Sequence, residues 1–342
     1  MGFTKPVRNY VCDRTPVYLG LIESTQRTYG VEHDINREYR MALRVAVSGA
    51  TGLVGSALSF ALRARGDNVT RLVRRVAART DGEARWDPVS GHVDQDVIEG
   101  HDAVIHLAGE PIASWRWSDA KKERIRTSRV DGTRLLAESL ARLEQPPNVL
   151  ICASAVGYYG SRPGEQLDEE SEPGDGFLAD VAVQWEAACE PASDAGIRVV
   201  NTRFGVIVDR NDALITRQLP MARIGLGGRV GNGKQHISWV ASDDVVGAIL
   251  HALDTPELSG PVNVTSPNSI TNREFAKALS AAVGRPALGW MPGLMAKLVF
   301  GEMGRELILT DQDVRPTQLL ESGYEFIHPE LETALRAALG AR

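Results

Sequence analysis

Residues 48–55 read Ser-Gly-Ala-Thr-Gly-Leu-Val-Gly, with glycines at 49, 52 and 55. An apolar run precedes this stretch and helical spacing follows it, the setting in which such a loop cradles a dinucleotide. Gly49 makes the tight turn, Gly52 lets backbone approach a pyrophosphate, and Gly55 lets helix and strand pack closely. Free N–H groups at the helix start face the phosphates, which adds Thr51, Leu53 and Val54 to the binding set. The next strand should end on the residue that reads the adenosine ribose. An acid there bonds the 2′-hydroxyl, whereas an arginine pairs with a 2′-phosphate. The sequence runs Leu72-Val73-Arg74-Arg75, with no acid until Asp81. We therefore expect NADP (NADPH), with Arg74 as the main phosphate ligand and Arg75 beside it; the other reading is two solvated loop charges.

A second group could handle protons. Ser154 closes an apolar run, and Tyr158 and Tyr159 follow it. The serine hydroxyl could bond a substrate hydroxyl or carbonyl, or it could satisfy backbone at a strand end. A phenol titrates at ~10 when unperturbed and can act as an acid or base; either tyrosine could instead pack the cleft wall. Arg129, on a long helical pattern, is a cofactor or phosphate contact or part of a solvated face. Leu107 and Ala108 should pass over the adenine or ribose, and Gly205, Val206 and Ile207 should border the nicotinamide. Gln235, Ser238 and Trp239 could cap a substrate, or the tryptophan belongs to the core. His106, on an apolar strand, reads as a core histidine. Cys12, Cys152 and Cys189 are too scattered for a zinc site or disulfide framework, so no metal is expected.

The elements that would position these residues alternate strand and helix. Short apolar runs at 43–48, 68–73, 103–107, 148–154 and 199–208 read as strands. Helical patterns cover 56–65, 120–143 and 177–195. That order implies an α/β, Rossmann-type doubly wound parallel sheet. Beyond residue 210, five glycines in residues 225–233 mark a loop. A helix over 242–253, a strand over 261–265 and a helix over 271–283 follow, the last opened by a Thr271/Glu274 capping box. Short helices finish a smaller, mostly helical C-terminal part. We divide the chain into residues 1–40, 41–265 and 266–342. The first 40 residues show no sustained period: they are a flexible or loosely docked extension, or Met41 is the true start.

The totals set outer limits. The 342 residues carry 44 Asp plus Glu against 38 Lys plus Arg, a net charge of −6, and 43% are apolar. Mild acidity argues against a general nucleic-acid or anionic-membrane binder. No run of ~18 apolar residues suggests a transmembrane helix. The sparse cysteines fit a reducing cytoplasm. We expect a monomer or homodimer acting on an unidentified small molecule.

The three glycines together with His106-Leu107-Ala108-Gly109 resemble the extended and atypical short-chain dehydrogenase/reductase superfamily. Gly109-Glu110-Pro111-Ile112, Ser128-Arg129-Val130-x-Gly132-Thr133 and Ala155-Val156-Gly157-Tyr158-Tyr159-Gly160 narrow the resemblance. So do Trp185-Glu186 and Gly231-x-Gly233-x-Gln235-x-x-Ser238-Trp239. As an ordered set they are similar to the "epimerase family protein" group of NAD(P)-dependent epimerase/dehydratase-like proteins. Gly301-Glu302 and Val314-x-Pro316 resemble that group's C-terminal domain of unknown function. The resemblance spans residues 42–340 and implies an NADP-binding fold with the substrate cleft beside the C-terminal part. It also implies a Ser or Thr, a Tyr, and a Lys four residues after the Tyr. Ser154 sits where the Ser or Thr belongs. Registering the next helix on Trp185 puts Phe177 and Val181 at the Tyr and Lys positions; registering on Glu186 puts Leu178 and Ala182 there. All six lysines lie outside residues 123–233, so no shift restores the pair. Two functions follow: an oxidoreductase or epimerase-like enzyme with a different proton carrier, or an NADP(H)-binding sensor without turnover.

Overall fold

Val45, Ala46 and Val47 are fully buried because β1 (Arg44–Ser48) has a parallel neighbour on each edge and helices over each face. The computed structural model describes residues 41–75, 82–113 and 116–340. Residues 1–40, for which an extension or an upstream start is expected, lie outside the described residues, as does Asp81.

The strands are β1, β2 (Asn68–Val73), β3 (Glu83–Asp87), β4 (His92–Val93), β5 (Ala103–His106), β6 (Val149–Ala155), β7 (Arg198–Phe204), β8 (Val206–Val208), β9 (Gly228–Val230), β10 (Trp239–Ala241), β11 (Gly260–Val264) and β12 (Gly289–Met291), two-residue bridges elsewhere aside. The longer helices are α1 (Leu53–Ala64), α2 (Asp119–Leu140), α3 (Phe177–Ala187), α4 (Ala213–Arg223), α5 (Ser242–Asp254), α6 (Asn272–Ala282), α7 (Gly293–Met303) and α8 (Leu331–Leu339). The main sheet runs β11-β7-β6-β5-β1-β2-β3-β4, and only the β3–β4 pair is antiparallel. Alternation along each strand splits the core in two. Val45, Val47, Ile105 and Ile151 face α1 and α5. Ala46, Val104, Leu150 and Cys152 face α2 and Trp185 of α3. This is the Rossmann-type arrangement expected from the alternation of elements.

Several elements differ from the sequence reading for identifiable reasons. The helix expected over 177–195 stops at Ala187; a short helix Glu190–Asp194 follows, with Pro191 in its first turn, where a missing N–H costs nothing. The strand expected over 199–208 divides at Gly205. A Cβ there would lie 2.6 Å from the Ser238 carbonyl oxygen, and β8 leaves the main sheet to pair with β10. The glycine-rich stretch 225–233 is not all loop: β9 pairs in parallel with β12, backbone on backbone through Gly228 and Gly289. β3 and α4 carry no clean period in the sequence, because Glu-Ala-Arg-Trp-Asp is polar and Pro220 interrupts the helical spacing. The capping box at Thr271 and Glu274 forms as expected.

His106 is wholly buried, and burial pushes its imidazole down to about 4. Between the unfolded value near 6.5 and about 4 the unfolded chain binds the extra proton, so stability falls as pH drops through that window. Unfolding in urea at pH 7.5 and pH 5 should show a loss of about 2 kcal/mol from this histidine alone. A His106→Gln variant should lack that share of the pH dependence; an unchanged pH slope would contradict the assignment.

Candidate functional site

The C-terminal ends of β1, β2, β5 and β6 lie side by side. Ser48 is opposite both Leu72 and His106, and His106 is opposite Cys152. The glycine loop, Arg74, Leu107 and Ser154 therefore gather along one edge of the sheet, where open α/β folds bind ligands. Gly49 has φ +66°, and a Cβ on it would sit 2.9 Å from the Leu107 carbonyl carbon and oxygen. A Cβ on Gly55 would sit 2.2 Å from the Gly49 oxygen. Both positions exclude any side chain. Gly52 caps α1 without a side-chain acceptor, which leaves the first-turn N–H groups of Leu53 and Val54 outside the helix ladder and available to an anion. Thr51 is exposed at the loop tip. These features fit the diphosphate of a dinucleotide.

Ser48 fixes the opposite wall. Its hydroxyl accepts the N–H groups of Leu107 (3.0 Å) and Ala108 (3.2 Å). With its acceptor sites used, it donates to His106 Nδ1 at 2.7 Å, which assigns the imidazole proton to Nε2. The Leu107 and Ala108 backbone is thus pinned at the end of β5. No motif singled out Ser48; the sign was a polar residue ending an otherwise apolar strand.

At the end of β2 the two arginines separate. Arg75 donates to Glu83 at 2.7 Å, and Glu83, itself buried, also takes Arg71. Arg74 is exposed and has no ion-pair partner among the described residues. Arg129 projects from α2 behind Gly109, where a Cβ would lie 3.3 Å from the guanidinium carbon. It donates to the carbonyls of Glu110 (3.0 Å) and Ile125 (3.2 Å) and stacks 4.9 Å above Trp185. Burial pulls its guanidinium down to about 10, against the nearby charge of Glu110. It is therefore half-buried against Gly109 and Trp185 and not part of a solvated helix face. Ile207 lies on β8, half-buried opposite Val240.

The three hydroxyls that could handle protons do not share one environment. Ser154 is buried and donates to Glu186 at 2.6 Å. Arg203 clamps the same carboxylate through Nε and Nη2, both at 2.8 Å. Its Nη1 donates to the Tyr159 hydroxyl, which donates to Asn263, again both at 2.8 Å. Burial pushes the Tyr159 phenol up to about 12 despite the opposing pull of Arg203. Burial works against the charge on Arg203 too, but Glu186 and Tyr159 outweigh it and raise its pKa. Tyr158 is half-buried, its ring 3.5 Å from the Arg203 guanidinium, and its hydroxyl has no partner among the described residues. Gln312 donates to the carbonyls of Val156 and Gly160 and so holds the tyrosine turn from the C-terminal part.

Other candidates turn inward. Phe177 and Val181, at the positions of the absent Tyr and Lys, are buried. Gln235 bonds the carbonyls of Val230 and Ile308, Ser238 bonds Gln312 and Val314, and Trp239 bonds the Asn268 carbonyl. All three are buried among chain and do not cap an open cleft. Glu186, Arg203 and Gln312 received no role from the sequence. Trp185-Glu186 stood out as a motif, but only the fold shows what its carboxylate holds.

The family model for NAD dependent epimerase/dehydratases matches residues 45–265. The chain belongs to that family. Residues 291–338 match a domain of unknown function. An epimerase family protein of Mycobacterium tuberculosis is 41% identical over 291 residues, covering 85% of this chain and 96% of its own length. Human epimerase family protein SDR39U1 is 35% identical over 297 residues, 86% of this chain and 99% of its own. The crystal structure of the human protein (isoform 2), solved with NADPH, superposes with a TM-score of 0.79 at 34% identity, covering 88% of this chain and all of that one. A nucleoside-diphosphate sugar epimerase from Corynebacterium glutamicum superposes at 0.75 and 34% identity, over 94% of this chain and 62% of that one. The resemblance read from the motifs is thus confirmed at the level of the family and the fold.

Removing one member of a buried ion pair strands the other. Glu186→Gln leaves the Arg203 guanidinium, only 3% exposed, without its counter-charge and should destabilise the fold by about 3 kcal/mol. Urea unfolding at neutral pH measures it; a loss near zero would mean that the pair is not desolvated.

Proposed function

We propose that this family member binds NADP(H) and acts as an oxidoreductase or epimerase-like enzyme on a small molecule, with Tyr158 as the proton carrier. The reading rests on the side-chain-free cradle at Gly49 and Gly55 beside an exposed Arg74 that has no ion-pair partner among the described residues. The NADPH in the human relative's structure supports the same cofactor. The first-turn amides of α1 hold the diphosphate, and Arg74 takes the 2′-phosphate. Leu107 and Ala108 line the adenosine side, Arg129 backs the wall behind Gly109, and Ile207 borders the nicotinamide end. The bound cofactor supplies hydride chemistry at the nicotinamide C4. Ser154 and Tyr159 have committed their protons to Glu186 and Asn263, so in this reading they hold the turn that presents Tyr158. The Arg203 guanidinium against the Tyr158 ring places a fixed positive charge beside the phenol.

The same buried network favours a second reading, an NADP(H)-responsive binding protein without turnover. Two of the three candidate hydroxyls are internally satisfied, and apolar residues stand where the usual Tyr and Lys would be.

Two measurements separate these readings. Nicotinamide absorbance should change when NADPH is mixed with a member of a carbonyl and nucleotide-sugar panel. Tyr158→Phe should lower that turnover by about 100-fold or more while NADPH still binds; tight binding with no turnover on any member supports the sensor. Separately, Arg74→Ala should weaken NADPH by about tenfold or more, the worth of a charge-assisted phosphate contact, and leave NADH nearly unchanged. Equal losses would remove Arg74 from the 2′-phosphate.

A further inference from the structure

Large apolar side chains are exposed in two short stretches after the glycine-rich segment begins and before the last helices. Ile224 and Leu226 follow α4; Leu288 and Trp290 lie on and beside β12, at 76% and 61% exposure; Leu294 and Leu298 lie on α7. The β9–β12 pairing brings the stretches together. It sets Arg229 opposite Trp290, and it brings the Leu226 carbonyl oxygen within 2.1 Å of where a Gly289 Cβ would be. β12 then runs directly into α7, which shows Leu294 and Leu298, one turn apart, to solvent while Ala296 packs inward.

The charge on these stretches has one sign. Residues 213–238 and 281–301 contain Arg217, Arg223, Arg229, Lys234, Arg285 and Lys297 and no Asp or Glu, on a chain whose net charge is −6. All six are exposed. The Arg229 guanidinium lies 5.9 Å from the Trp290 ring.

We propose that this face docks on the surface of an anionic lipid bilayer. A bilayer presents one sign of charge above an apolar layer, and a helix stripe of leucines with an interfacial Trp and a basic surround matches both. Among the described residues no helix is long and apolar enough to cross a membrane, so the association is peripheral. A second copy meeting this face by a two-fold axis would set like charge against like charge. A protein partner would more commonly meet an apolar centre whose polar rim carries both signs. Of the carboxylates at the ends of these stretches, Asp212 caps α4 by accepting the Leu214 N–H, and Glu302, late in α7, is paired with Lys122.

The test is co-sedimentation of the full chain with vesicles of phosphatidylcholine alone and of phosphatidylcholine with phosphatidylglycerol at roughly two to one. Binding is expected to the mixed vesicles only, and should fall steeply as salt rises, a readout that needs no variant. Leu298→Asp, and separately Arg223→Glu with Arg229→Glu, should each cut binding by about tenfold or more. Far-ultraviolet circular dichroism checks that each variant is folded. No sedimentation with either vesicle overturns the proposal, as does equal binding to both. Light scattering that shows a dimer abolished by Leu298→Asp would assign the face to a second copy and would also overturn it.

Discussion

Two backbone contacts that admit no side chain organise this protein. Gly49 lies against the Leu107 carbonyl, and Gly55 lies against the Gly49 oxygen, so β1, α1 and the end of β5 meet within one small volume. A methyl group at either glycine would open that junction, because the opposing atoms are backbone and cannot swing away. The approach lets α1 point its unsatisfied first-turn amides at the sheet edge. Ser48 then completes the cradle by fixing the Leu107 and Ala108 amides through one hydroxyl. Its remaining proton goes to His106, which must stay neutral, and burial keeps it so.

Charge is handled differently on the other side of the edge. Glu186, Arg203, Tyr159 and Asn263 form one closed chain of hydrogen bonds beneath the tyrosine turn, with Ser154 tied to the same carboxylate. Buried charges persist only when paired and hydrogen-bonded, and here every member is satisfied. Ser154 and Tyr159 therefore donate inward, whereas the hydroxyl of half-buried Tyr158 has no partner among the described residues. α3 itself carries no lysine, and Arg203 lies against the tyrosines: the positive charge near the phenols comes from β7 and not from the following helix.

The sequence made some of this legible and withheld the rest. Buried parallel strands announce themselves as short apolar runs, so β1, β2, β5 and β6 were readable to within a residue; α1 was placed, but it begins at Leu53, three residues before the helical spacing showed. β3, with a charge at each end, and α4, with Pro220 inside it, carry no clean period and were missed. Gln235, Ser238 and Trp239 suggested a substrate cap because they follow a glycine-rich stretch, but β8 and the C-terminal part cover them. Arg75 and Arg74 look alike in a string; only the placement of Glu83 across the strand pair separates them. Hydrogen-bond partners more than 15 residues apart, such as Glu186 with Arg203 or Gln312 with Val156, follow from topology and have no local signature.

The account depends most on the cofactor that the cradle and Arg74 select. Isothermal titration of the unmodified chain with NADPH and with NADH tests this most directly. The account predicts one site per chain, with NADPH bound at least about tenfold more tightly than NADH, a difference of about 1.4 kcal/mol. Equal affinity for the two, or no heat with either, would contradict it.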